Sequence, residues 1–149
     1  MGDLGLFALP FPEETGGMGG DFTSLCVAIE EIGRVDQSLG ITLEAGVGLG
    51  INPIFTYGTE RQRDELLPDL MAGRALAGFG LTEAEAGSDA GATRTKAELD
   101  GDEWVINGSK AFITNSGTDI TSVVTVTTRT GTRQDGSAEI SAILVPSGE

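Results

Sequence analysis

The sequence predicts an α+β fold: a helical portion over residues 1–75, then a small antiparallel β-sheet or barrel over residues 76–149. Three observations carry this. Apolar residues recur at spacings of three and four as far as Met71. From Leu76 onward the period shortens, and Val and Thr dominate. The hairpin dipeptides Asp100-Gly101 and Asn107-Gly108 occur only in the second part.

Met1 to Ala8 read as the end of a helix, too short to stand alone. Leu9 to Gly20 is a loop punctuated by Pro and Gly. Asp21 is an N-cap, and Phe22, Leu25, Ile29 and Ile32 form one apolar stripe, which predicts a helix over Phe22–Val35. A second helix runs from about Ser38 to Gly46. Asn52-Pro53 breaks or restarts it, and Gly58 stops it. Gly46, Gly48 and Gly50 alternate, but no strand precedes them and no Lys-Ser/Thr follows, so they are not a phosphate loop. They leave close helix packing, or room for a ligand chain. Thr59 and Gln62 have the spacing of a capping box ahead of a helix with Leu66, Leu67, Leu70 and Met71 on one side. Pro68 should bend or shorten that helix. Strands are expected at Leu76–Leu81, Thr93–Leu99, Glu103–Ile106, Ser109–Thr114, Ile120–Arg129 and Glu139–Val145, with Pro146 ending the last.

Composition excludes several functions. The formal net charge of -14 disfavours nucleic-acid backbones and anionic membrane surfaces as partners. With no histidine there is no Ser-His-Asp or Cys-His nucleophile system and no His-ligated metal in these residues. The single cysteine, Cys26, lies in an apolar helical run and is expected to be a buried thiol. No apolar run approaches the roughly 20 residues of a membrane span, and no signal-peptide pattern is visible. A cytoplasmic location is the expectation.

Two stretches stand out chemically. Phe79-Gly-Leu-Thr-Glu-Ala-Glu-Ala-Gly-Ser-Asp89 begins as a strand and ends as a polar, glycine-bearing loop at the junction of the two periods. Lys110-Ala-Phe-Ile-Thr-Asn115 repeats the order aromatic, aliphatic, threonine. Small residues and hydroxyls beside aromatics suit a flat cofactor with a polar edge. The alternative is that Thr82, Ser88 and Thr114 are ordinary strand and turn hydroxyls. Glu83, Glu85 and Asp89 read as solvated or capping loop carboxylates, and Trp104 as a hairpin packing residue.

At these residues the sequence resembles the acyl-CoA dehydrogenase family over essentially the whole chain. Leu9–Gly20 resembles the loop before a core helix of that family's N-terminal domain, and Thr59–Gly73 the helix leading into its middle domain. Phe79–Asp89 and Asn107–Asn115 resemble its two flavin-binding signatures. The resemblance implies non-covalent FAD, α,β-dehydrogenation of an acyl-CoA thioester in fatty-acid β-oxidation, electron transfer to an electron-transfer flavoprotein, and a homotetramer. It implies flavin contacts from Phe79, Leu81, Thr82, Gly87, Ser88, Phe112, Ile113 and Thr114. It also implies a substrate-side role for Ser88, and places Thr42, Ala45, Gly46 and Leu49 beside the acyl pocket. Two departures are visible: Ala84-Glu85 stands where many relatives have Pro-Gly, and Phe112 where tryptophan is common. The family's C-terminal helices, which carry the catalytic base, have no counterpart in these residues. The chain therefore reads as a fragment, and no glutamate in it is assigned as the base. The competing readings are an acyl-CoA oxidase or flavin monooxygenase of the same fold, and a non-catalytic assembly module.

Overall fold

The computed structural model describes residues 1–148. Two 3-10 turns, Gly2–Leu4 and Leu6–Ala8, replace the helix end expected at the start, and a third, Glu13–Thr15, lies in the loop expected after it. Four α-helices follow: α1 (Phe22–Gly33), α2 (Gln37–Glu44), α3 (Asn52–Tyr57) and α4 (Glu60–Met71). The N-caps of α1, α2 and α4 each have a chemical cause, while α3 has no side-chain cap. Asp21 accepts from the Ser24 amide at 2.7 Å, and Asp36 from the amides of Ser38 and Leu39. The capping box closes in both directions, Thr59 N–H to Gln62 Oε1 at 2.9 Å and Gln62 N–H to Thr59 Oγ1 at 3.3 Å. Pro68 does not end α4, which continues to Met71. The carbonyl it leaves without a partner, that of Asp64, lies on an exposed face where water can serve it.

Between α2 and α3 the backbone widens into a π-helix over Ala45–Ile51, so helix runs unbroken from Gln37 to Tyr57. An 18-residue window of this 21-residue stretch has a mean hydropathy of 1.2, long and apolar enough by composition to cross a membrane, contrary to the expectation that no run came near that. Its packing is that of a core helix. Leu43, Val47, Ile51 and Ile54 join Phe7, Phe11, Leu67, Leu70 and Met71 in one buried cluster that reaches Ala77 and Val123 of the β portion. Cys26, expected to be buried, is exposed: it follows the buried Leu25 on α1 and faces away from the core. Phe22 at the helix start is likewise half-exposed, so the stripe of α1 is anchored by Leu25 with partial cover of Ile29 and Ile32.

The β portion is a five-stranded sheet, not a closed barrel: β1 (Leu76–Gly80), β2 (Lys96–Asp100), β3 (Glu103–Asn107), β4 (Thr121–Thr132) and β5 (Ala138–Pro146). The expected hairpin at Asp100-Gly101 forms, with β2 antiparallel to β3 and Gly101 at φ 66°. β4 and β5 are also antiparallel. The sheet is nonetheless mixed, because β1 pairs parallel with β4 in the register Phe79 to Thr125. Residues 81–120 form the long crossover that a parallel pair requires. The strand expected at Ser109–Thr114 is absent, and Asn107-Gly108 is not a tight turn. Phe112 (φ 59°) and Asn115 (φ 66°) are left-handed, which no strand tolerates, and Lys110 turns inward.

Candidate functional site

The first stretch leaves the sheet at the end of β1. Gly78 and Gly80 face the second stretch. A Cβ at Gly78 would sit 3.1 Å from the Thr114 carbonyl oxygen and 3.3 Å from Ile113 Cγ2, and one at Gly80 would sit 3.3 Å from Lys110 Cγ. The absence of side chains there lets residues 110–114 lie directly on β1. The Ala111 amide donates to the Thr82 carbonyl at 2.9 Å and fixes the two stretches in register. Lys110 Nζ donates to the Leu81 carbonyl (3.1 Å), Glu83 Oε1 (2.7 Å) and Thr127 Oγ1 (3.1 Å).

At the far end, Asn115 Nδ2 donates to the Thr42 carbonyl at 3.2 Å and lies beside Gly46 of the π-helix. Among the described residues this is the one side-chain hydrogen bond between the helical and β portions. The second stretch thus spans from the Glu83 corner to α2.

Phe112 is the unusual residue. The residue is 94% exposed and its backbone is left-handed. A bulky residue held at positive φ costs on the order of 1–3 kcal/mol, and such strain persists where the surroundings impose it. Here the Ala111–Thr82 bond imposes it from one side. Thr114 is exposed next to it, and Leu81 and Thr82 lie across the register bond. The hydroxyls of Thr82, Ser88 and Thr114 donate to no protein group among the described residues. An exposed aromatic two residues from an exposed threonine, in a stretch bonded to the Thr82 backbone, offers partners for a planar group with polar edges. Gly87 and Ser88 are exposed, and a Cβ at Gly87 would meet no atom within 4 Å, leaving its backbone open to approach.

Not every expected residue joins this ledge. Phe79 alternates with Gly78 and Gly80, so its side chain lies on the opposite face of β1, where it lines an apolar groove with Pro53, Tyr57, Gln62 and Thr125. Ala45 and Gly46 are buried, Gly46 against the Phe7 ring, and the Thr42 hydroxyl donates back to the Ser38 carbonyl. Thr82 is half-buried, and Ser88, Phe112 and Thr114 are exposed.

Glu83 is the residue sequence reasoning misplaced. Read as a solvated loop carboxylate, it is buried, accepting from Lys110 and from the amides of Arg94 (2.7 Å) and Thr95 (3.0 Å). Glu85, two residues on, does stay outside, paired with Arg94 at 2.9 Å. The signal for Glu83 was its lone neighbour in the second stretch, Lys110. Burial alone would raise the Glu83 pKa, but Lys110, Thr95 and the two amides outweigh it and lower the pKa from 4.5 to about 2. A carboxylate held below its unfolded value stabilises the fold above pH 4.5 and loses that contribution as pH falls through 2. The urea midpoint should fall steeply over this window, by an amount equivalent to about 3 kcal/mol, and Glu83→Gln should flatten that part of the profile. An identical profile in the variant would place the acid sensitivity elsewhere.

Residues 1–74 match the acyl-CoA dehydrogenase N-terminal domain and residues 78–149 the acyl-CoA dehydrogenase middle domain, and the chain belongs to that family. It is 51% identical over 146 residues to the probable acyl-CoA dehydrogenase YngJ of Bacillus subtilis, covering 98% of this chain and 38% of that protein. The butyryl-CoA dehydrogenase structure from Megasphaera elsdenii superposes with a TM-score of 0.89 at 38% identity, over 99% of this chain and 39% of that one. An acyl-CoA dehydrogenase from Bacillus anthracis, solved complexed with FAD, gives 0.86 at 38% identity, over 99% and 25%. The chain therefore spans less than two-fifths of the length of these relatives.

Proposed function

We propose that this chain forms the helical and β-domain part of a flavin-dependent acyl-CoA dehydrogenase that binds FAD on the ledge between Thr82 and Thr114. The observation that carries this reading is Phe112, left-handed and uncovered, in a stretch that the Ala111–Thr82 bond fixes beside the end of β1. When bound, FAD supplies the acceptor for the hydride removed from the β-carbon of an acyl-CoA. The chain's own residues orient it. Phe112 and Ile113 lie against the ring, Leu81 backbone groups and the Thr82 and Thr114 hydroxyls meet its polar edge, and the open backbone at Gly87 and Ser88 receives the pyrophosphate. Ser88 stands toward the thioester, and Thr42 and Gly46 reach the acyl side through Asn115. Phe79 is left out of the set. No described glutamate is given the part of the base that takes the α-proton, and Glu83 is already committed to Lys110. Electron transfer to an electron-transfer flavoprotein, a homo-oligomeric state and a cytoplasmic location complete the proposal.

The test is purification of the protein from its complete reading frame, with butyryl-CoA as first substrate. A yellow preparation bleached by that thioester is expected, and a colourless one that takes up no FAD overturns the reading in favour of an assembly module. Rapid oxygen consumption by the reduced protein, without an electron-transfer partner, would identify an oxidase instead. Thr114→Val should weaken FAD about fivefold, the worth of one hydrogen bond near 1 kcal/mol, or shift the flavin potential. A flavin unchanged in both respects removes Thr114 from the site.

A further inference from the structure

Lys110 and Glu83 make a buried ion pair for which the flavin reading itself has no use. Their side chains are 9% and 6% exposed. The three acceptors around Lys110 Nζ match the three protons of an ammonium, and Glu83 holds two backbone amides besides. The Lys110 stem crosses Gly80, where a Cβ would sit 3.3 Å from Lys110 Cγ, tighter than ordinary contact. A pair of this kind adds little net stability, because removing both charges from water offsets most of their attraction. What it supplies here is geometry. Its acceptors Leu81 and Glu83 flank Thr82 on one stretch, and Lys110 stands two residues before Phe112 and four before Thr114 on the other. With Thr127 of β4 as a third anchor, the pair ties both stretches to the sheet.

We infer that Lys110 and Glu83 are positioning residues that set the spacing between Thr82 and the Phe112–Thr114 stretch, and through it how tightly and in what electronic state the flavin is held. The inference rests on the flavin reading above. Neither side chain touches the ledge surface, so both act through the backbone they hold.

The test compares the protein from its complete reading frame with Lys110→Met and with the double variant Lys110→Met, Glu83→Gln. FAD dissociation, the flavin midpoint potential and the unfolding temperature are measured for each. The single variant leaves a buried carboxylate without its cation and will fold poorly. The double variant leaves no buried charge and keeps the comparison usable if the single one fails. The double variant is expected to release FAD at least about tenfold more readily and to show a shifted potential, while unfolding near the parent temperature. An unaltered affinity and potential in the double variant overturns the inference, as does a loss of affinity that merely follows a lowered unfolding temperature with the potential unmoved. A parent protein that takes up no FAD fails the flavin reading itself, a result separate from either.

Discussion

Glu83→Ala should cost this fold about 3–5 kcal/mol. The substitution strips the carboxylate from three donors at once: Lys110 Nζ and the amides of Arg94 and Thr95. Lys110 would then be a buried cation with only a carbonyl and a hydroxyl for company. The penalty comes mainly from the donors left behind, since an unpaired buried charge costs far more than a satisfied pair contributes. A domain of this size has about 5–15 kcal/mol in total, so the unfolding temperature should fall by about 10 °C or more. Equilibrium urea unfolding provides the check: the midpoint should drop with the slope unchanged. A midpoint equal to the parent's would mean that Lys110 finds water when its partner goes, and that the corner is less enclosed than the structure shows.

Gly50→Val is the second large effect, expected at about 3 kcal/mol with a weakened flavin site. Gly50 lies in the π-helix where it crosses β1. A Cβ there would sit 2.8 Å from the Ala77 carbonyl oxygen and 2.9 Å from Ala77 Cβ. Both belong to a strand fixed on its other side by β4, so neither can yield without moving β1. The strand leads straight into Leu81 and Thr82, which makes the packing fault a fault in the ledge. Gly48→Ala is the control. Its Cβ meets only the flexible end of Glu44 at 3.2 Å, and its stability should stay within about 1 kcal/mol of the parent. Chemical denaturation of the two variants side by side would reveal whether the alternating glycines serve helix packing. Equal losses at both positions would point to the π-helix backbone itself as their reason.

The local chemistry of the chain was legible in its residues. Asp21 and the Thr59–Gln62 box cap helices because a cap involves groups three residues apart. The Asp100-Gly101 hairpin is equally local, and the two hydroxyl-and-aromatic stretches that make the ledge are contiguous words in the sequence. The rest depended on partners far along the chain. Period two says that Phe79 opposes Gly78, but only the contact of Gly78 with Ile113 and Thr114 tells which of them faces the ledge. The parallel pairing of β1 with β4, across 40 intervening residues, is invisible to any short window. Cys26 reads as apolar yet lies outside, because helix packing anchors on Leu25. Glu83 reads as solvated yet lies inside, because a lysine 27 residues later needs it. Charge burial and strand order are settled by what packs against what, and that information exists only once the chain has closed on itself.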